Sequence, residues 1–185
     1  MMHADPSRVM PIVFSGEMVR ALLAGRKQVT RRLATSPLAR LGVGDLLWVR
    51  EAVEIVNRSG GPEPLLVCRY LADGAERRVL SRRQAAPRDL YSPRFMPREL
   101  SRLTLRVLSV DEARLQWVGE GDAVDEGVEA QPGDARGAFA ALWNRLHDRP
   151  GERWADNPEV CVIRFAVWRR PVDVLLPGLG RGGVR

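Results

Sequence analysis

The chain is expected to fold as an α+β protein, a small and mostly antiparallel β-barrel with two or three flanking helices. Three observations carry that expectation. Its 185 residues, 45% of them hydrophobic, suffice for one good core. About six short apolar runs read as strands. Turns, rather than regular helical crossovers, separate those runs, which argues against a parallel doubly wound sheet.

Residues 1–9 are polar and patternless and are expected to be a disordered extension, with Met10 a competing start site. A single domain is expected over residues 10–168. Pro11-Ile12-Val13-Phe14 reads as a first strand. Ser15 can cap the helix that follows, and Glu17 suits its positive N-terminal end. Met18, Val19, Leu22 and Leu23 fall on one helical face, and Gly25 is placed to end it. Gly42-Val43-Gly44-Asp45 is a turn leading into the strand Leu46-Leu47-Trp48-Val49-Arg50-Glu51.

Residues 57–64, with Gly60-Gly61-Pro62, are expected to be a hairpin loop or an exposed insertion before a strand over residues 65–71. Residues 77–98 carry Pro87, Pro93 and Pro97 and read as an extended flap. The clearest strand is Leu103-Thr104-Leu105-Arg106-Val107-Leu108-Ser109-Val110. Asp122 can cap a short helix ending near Gly127. Asp134 can cap a longer one, with Phe139, Leu142, Trp143 and Leu146 on its apolar face. A last strand spans residues 160–167, and residues 169–185 are expected to be a flexible basic tail.

The formal charge of +6 and a pI near 10.5 point to anionic partners, nucleic acid before membrane. A GC-rich coding sequence would also raise arginine. Cys68 and Cys161 each sit in an apolar run and are expected to be buried free thiols. With two histidines and two widely spaced cysteines, neither a metal site nor a cofactor is expected. No apolar segment is long enough to span a bilayer, and the protein reads as cytoplasmic.

The most concentrated chemistry lies in Gly25-Arg26-Lys27-Gln28-Val29-Thr30-Arg31-Arg32, read as a basic loop just behind a helix end. Lys27 is the only lysine of the chain. Neighbouring cations and burial depress an ammonium pKa, so Lys27 suits a general base, a role that permanently charged arginine cannot fill. A solvated loop cation is the competing reading. Thr30 could act as nucleophile or as a hydroxyl bonding nearby backbone, and Glu126 as proton shuttle or solvated carboxylate. Arg26, Arg31 and Arg32 suit phosphate, whose oxygens a guanidinium fork matches.

These blocks resemble the ASCH domains, which share the PUA-like barrel fold. Ile12-Val13-Phe14-Ser15-Gly16, the helix and the basic stretch are similar to that family's strand, helix and G-x-K-x-x-x-R signature. Gly44-Asp45 with its strand, Met96-Pro97-Arg98, Ser101-Arg102 and Thr104-Leu105 resemble further blocks, the latter in longer, often phage-borne members. Asp122-Ala123-Val124-Asp125-Glu126-Gly127-Val128 and Trp154-Ala155-Asp156-Asn157-Pro158 complete the resemblance. It implies an RNA-binding or nucleotide-acting module. In one branch, which removes an acyl group from N-acetylated cytidine, it implies catalytic roles for Lys27, Thr30 and Glu126; ribonuclease activity is ascribed to others. Two readings follow: a metal-independent hydrolase of ribonuclease or nucleoside amidohydrolase type, or a non-catalytic RNA-binding module using the same basic cleft. RNA or a nucleotide is the expected partner, with DNA as a competitor and no membrane.

The greater length, with residues 57–64 and 77–98 added, and the doubled arginine after Thr30 depart from the amidohydrolase branch. Arg98 and Arg102 lie on an arginine-rich track over residues 77–106 suited to an RNA backbone, and Arg50 with Glu51 ends the Gly-Asp strand. Trp48, Trp117, Trp143 and Trp154 are candidate base-stacking residues. Trp48 and Trp143 lie on apolar faces and read as core, whereas Trp154, in a loop, is the preferred platform.

Overall fold

A computed structural model describes residues 8–60, 65–80 and 88–176. Its elements run β1 (Val9–Val13), α1 (Gly16–Leu23), β2 (Val29–Leu33), β3 (Leu46–Arg50), β4 (Val53–Arg58), β5 (Leu65–Tyr70), β6 (Glu76–Leu80), β7 (Leu90–Tyr91), β8 (Thr104–Arg114), α2 (Glu120–Asp125), α3 (Ala135–Leu146), β9 (Glu159–Trp168) and α4 (Val172–Leu175), with short 3-10 turns between them. The class is α+β, as expected. The strands form two sheets, ordered β1-β3-β8-β9-β2 and β6-β5-β4-β7. Both orders have two ends, so the sheets are not closed into a barrel.

The described residues divide into two compact units, residues 8–9, 21–46 and 106–167 in one and residues 10–20, 47–60, 65–80, 88–105 and 168–176 in the other. In the second, Ser15 caps α1 as expected, its Oγ accepting from Met18 N at 3.3 Å. β4 and β5 pair antiparallel, β5 on the strand expected over residues 65–71 and β4 running through Asn57 and Arg58 into the expected loop. By contrast β6, paired with β5, stands where the flap was expected to begin. Residues 77–80 belong to β6, because Arg77 and Arg78 have strand partners in Cys68 and Val67. The proline-rich remainder supplies β7 and two 3-10 turns. Residues 61–64 and 81–87 lie outside the described residues.

Val53, Ile55, Leu66, Cys68, Tyr70, Val79, Met96 and Leu100 form this unit's core. Tyr70 donates its hydroxyl to Leu100 O at 2.8 Å, and Ser101 Oγ donates to Val49 O at 2.9 Å, so both buried polar groups are satisfied. The segment expected as a tail opens with α4, whose Val172 is buried and whose Asp173 pairs with Arg98 at 2.5 Å. Residues 1–7 and 177–185 lie outside the described residues.

In the first unit, β2 pairs antiparallel with β9, placing Val29, Arg31 and Leu33 opposite Arg164, Val162 and Val160. The expected basic loop is therefore a loop only as far as Gln28. Leu115, Val118, Ala123, Ala135, Phe139 and Trp143 pack with Val29, Val160 and Val162. Leu146, expected on the apolar face of α3, is exposed. Cys68 and Cys161 are both free and buried.

The helix caps differ from the expected ones. α2 starts at Glu120, so Asp122 lies inside it, and Gly119 is the N-cap. Asp134 makes no side-chain cap bond to α3. Glu120 takes that role from α2, its carboxylate accepting from Ala135 N at 2.5 Å and Arg136 N at 3.0 Å. A charged acceptor at a helix N-terminus satisfies free N–H groups and complements the helix dipole. Glu120→Ala is therefore expected to lower stability by about 1–2 kcal/mol, and Asp134→Ala by less than about 0.5 kcal/mol. Urea unfolding of both variants checks the order; equal losses would return the cap to Asp134.

Candidate functional site

The candidate site is built where the ends of α1 and α2 meet the start of β2. The α1 helix stops at Gly25, whose φ of +72° suits a glycine C-terminal to a helix. The chain then turns back, and Arg26 N and Lys27 N both donate to Ala21 O, at 2.9 and 3.2 Å. Gln28 N donates to Asp125 O at 2.8 Å, tying the loop to the end of α2. Gly127 completes the junction at φ +82°, and a Cβ there would lie 2.8 Å from the Cβ atoms of Ala21 and Lys27. Only glycine fits both the backbone angle and the space.

This junction buries a charged cluster. Lys27 is 2% exposed and Glu126 3%. Lys27 Nζ donates to Glu126 Oε2 at 2.9 Å, Glu126 O at 2.7 Å and Val29 O at 3.0 Å. Glu126 Oε1 accepts from Arg31 Nη1 at 3.0 Å, and Arg31 Nη2 lies 3.6 Å from Asp122 Oδ2. Arg164, facing Arg31's side of the sheet, pairs with Asp122 at 2.8 Å and Asp125 at 3.5 Å. Arg31 also lies over the Phe139 ring at 5.9 Å, and its Nε is buried without a hydrogen-bond partner.

Glu126 thus sits between two buried cations. Burial lowers the Lys27 pKa from its ordinary 10.5, opposed by the charge and hydrogen bond of Glu126 and reinforced by Arg32 and Arg31. A lysine inclined to lose its proton, touching a carboxylate, can pass a proton in either direction.

Successive side chains of a strand point to opposite faces, so Thr30 and Arg32 lie on the face of β2 opposite Arg31. Thr30 Oγ accepts from Arg32 Nη1 at 3.0 Å and is buried. Of the expected phosphate ligands, Arg26 is half-exposed and pairs with Glu129 at 3.0 Å. The Arg31 terminal nitrogens are engaged by carboxylates, and Arg32 is part-buried, where desolvation lowers its pKa.

Arg50, Glu51, Arg98 and Arg102 belong to the other unit. There Arg102 grips the buried Glu51 with two 2.8 Å bonds, reaches Asp73 at 2.9 Å and lies 4.1 Å from the Tyr70 ring centre. Burial raises the Glu51 carboxyl pKa against the pull of Arg102. Arg50 bonds Arg94 O and lies over Trp48.

Trp154 is held in place by its surroundings: its ring meets the Phe139 ring edge-on at 6.3 Å and lies under Arg136 at 4.9 Å, and its backbone N–H donates to Asn144 Oδ1. Trp117 is the tryptophan that the fold leaves outside, at 74% exposure. Asp122 was read from the sequence as a helix cap and not as a member of this cluster, and Arg164 was not singled out at all. The acidic run around Asp122 was a usable signal, whereas Arg164 sits inside an apolar strand and gave none. Among the described residues no group of three or more His, Cys, Asp or Glu could hold a metal ion, and no helix is long and apolar enough to cross a membrane.

No family model matches the chain, and no curated protein does. A structural comparison found similarity to a crystal structure of an ASCH domain from Lactobacillus crispatus JV V101. It has 15% sequence identity, covers 88% of this chain and 80% of that one, and has a TM-score of 0.46.

Removing Glu126 would leave Lys27 and Arg31 buried without their shared counter-ion. Glu126→Ala is expected to cost about 3–5 kcal/mol. Gly127→Ala is expected to cost about 1–3 kcal/mol through backbone strain and the close contact. Chemical unfolding measures both, and a loss under about 0.5 kcal/mol for Glu126→Ala, the level of an ordinary surface substitution, would place the cluster in solvent.

Proposed function

We propose that this is an ASCH-type, PUA-like protein acting on RNA or a nucleotide, with the Lys27 cluster as a metal-independent hydrolytic centre. The observation that carries the reading is the 2.9 Å contact between Lys27 and Glu126, two residues 99 positions apart that the sequence alone paired by resemblance. In this reading, neutral Lys27 accepts a proton from an attacking water, because Thr30 lies on the opposite face of β2 with its hydroxyl bonded by Arg32. Glu126 takes up that proton and returns it to the leaving group. The half-exposed Arg26 and part-buried Arg32 supply positive potential for a phosphate, with Arg32 also fixing the Thr30 hydroxyl. The ligand class rests on the basic charge and on the resemblance of the signature residues.

One observation favours the alternative, a recognition module without turnover. Each of the three hydrogens of a Lys27 ammonium has an acceptor, an arrangement that serves a fixed structural cation equally well. The two readings separate by experiment. Incubation with RNA and N-acetylated cytidine, read by mass spectrometry, should show turnover that survives chelator. Lys27→Arg keeps the positive charge but cannot act as a base, so it should lower the rate by about 100-fold or more. Full turnover by that variant would remove the proton-transfer role. Binding without turnover, weakening steeply with salt, would favour recognition.

The pH dependence has a definite sign. The active form of Lys27 is neutral, so the rate should rise with pH through an apparent pKa below 10.5. Stability should also rise across that interval, because the unfolded chain holds the lysine proton up to 10.5 while the folded chain gives it up earlier. A rate independent of pH from 6 to 10 would contradict this assignment.

A further inference from the structure

Trp117 is exposed on a backbone that is otherwise tightly held. Its neighbours Leu115 and Val118 are both buried. Leu115 N donates to Pro158 O at 3.0 Å, Gln116 N to Asn157 Oδ1 at 2.8 Å, and Gln116 Nε2 to Trp154 O at 2.9 Å. Arg136 donates to Gln116 O and Val118 O at 3.0 and 3.1 Å, clamping both carbonyls that flank Trp117. Asn157, in the left-handed region at φ +46°, supplies two of the anchoring groups. The fold therefore fixes the turn from every side and directs none of that packing onto the indole. A ligand that covers the ring therefore meets a backbone already in place and orders only the two side-chain torsions of the indole.

The indole borders a cavity of about 210 Å³ lined also by Glu112, Arg114 and Glu159. Arg114 pairs with Glu159 at 3.1 Å, and among the described residues Glu112 forms no ion pair. The lining carries a net charge of −1, from two carboxylates against one guanidinium, inside a chain of net charge +6. Such a wall repels a bare phosphate and favours a neutral or cationic ligand that donates hydrogen bonds. A flat ring stacked on the indole with two parallel N–H donors on its edge matches a carboxylate fork. Among the common bases guanine has that edge, in N1–H and the N2 amino group. Adenine and cytosine place an acceptor beside their amino group, and uracil flanks one N–H with two carbonyls.

We infer that Trp117 and Glu112 form a subsite for an unpaired guanine base, stacked on the indole and held at its N1–H/N2 edge by the Glu112 carboxylate. The inference shares the nucleic-acid ligand class of the reading above but uses no residue of the Lys27 cluster, so the two can fail separately.

The test titrates guanosine, inosine and uridine 5′-monophosphates against the full chain, following the tryptophan indole N–H signals by NMR. The Trp117 signal is identified by its loss in Trp117→Phe. Guanosine monophosphate should shift that signal, and inosine monophosphate, which lacks the N2 amino group, should bind more weakly. Trp117→Ala should weaken guanosine monophosphate binding by about tenfold or more. Glu112→Gln should bring guanosine down to the inosine level. Unchanged unfolding midpoints in both variants show that folding is intact. Equal affinities for the three nucleotides, no movement of the Trp117 signal, or a shift given by an arginine-containing peptide but not by guanosine monophosphate would each overturn the inference. Loss of RNA turnover in Lys27→Arg with this response retained would separate the two sites.

Discussion

The Glu126 carboxylate between Lys27 and Arg31 is the interaction on which the candidate site depends. One oxygen faces the ammonium at 2.9 Å and the other faces the guanidinium at 3.0 Å. Two buried cations share one buried anion, with half-exposed Asp122 offering partial relief to Arg31. In a medium less polar than water that imbalance is costly, and burial together with it lowers the Lys27 pKa from its ordinary value. The arrangement that makes Lys27 a candidate base is the same one that makes the cluster expensive to disturb. Arg31 also links it to the aromatic core through Phe139. Charge placement and hydrophobic packing are therefore coupled at this point.

Backbone geometry makes the contact reachable. Lys27 and Glu126 meet because α2 ends in a left-handed glycine pressed against the end of α1. The Ala21 carbonyl holds the loop on one side, and the Asp125 carbonyl holds it on the other. The other unit shows a related device, in which Arg102 grips the buried Glu51 with both arms of its fork. There the carboxylate has an arginine as its principal partner, which stays charged. That pair reads as a structural lock, whereas the lysine-containing cluster can exchange a proton.

Much of this was legible in the sequence, for identifiable reasons. The α1 helix, its Ser15 cap and its glycine stop follow local rules, and each appears as expected. The strand character of β2 was hidden because Arg31 occupies an inward position where an apolar residue signals a strand. The far end of β8 was hidden because Asp111-Glu112-Ala113-Arg114 is charged and largely exposed. Glu120 capping α3 could not be read from spacing, since the cap comes from a residue 15 positions earlier. The pairing of Lys27 with Glu126 came from resemblance to a signature, not from any local pattern. The packing of the tryptophans was hidden for a similar reason. Trp154 and Trp117 both lie outside the regular elements, and only tertiary packing distinguishes the held ring from the presented one.

Because Lys27 is the only lysine in the chain, labelling lysine with 13C at Cε gives a single NMR resonance whose titration reports this group directly. The account predicts a pKa below 10.5, lowered further in Glu126→Gln, where the attracting carboxylate is removed but the burial and the arginines remain. A titration at or above 10.5, unmoved by that substitution, would mean that Lys27 is a solvated cation and would contradict the account at its centre.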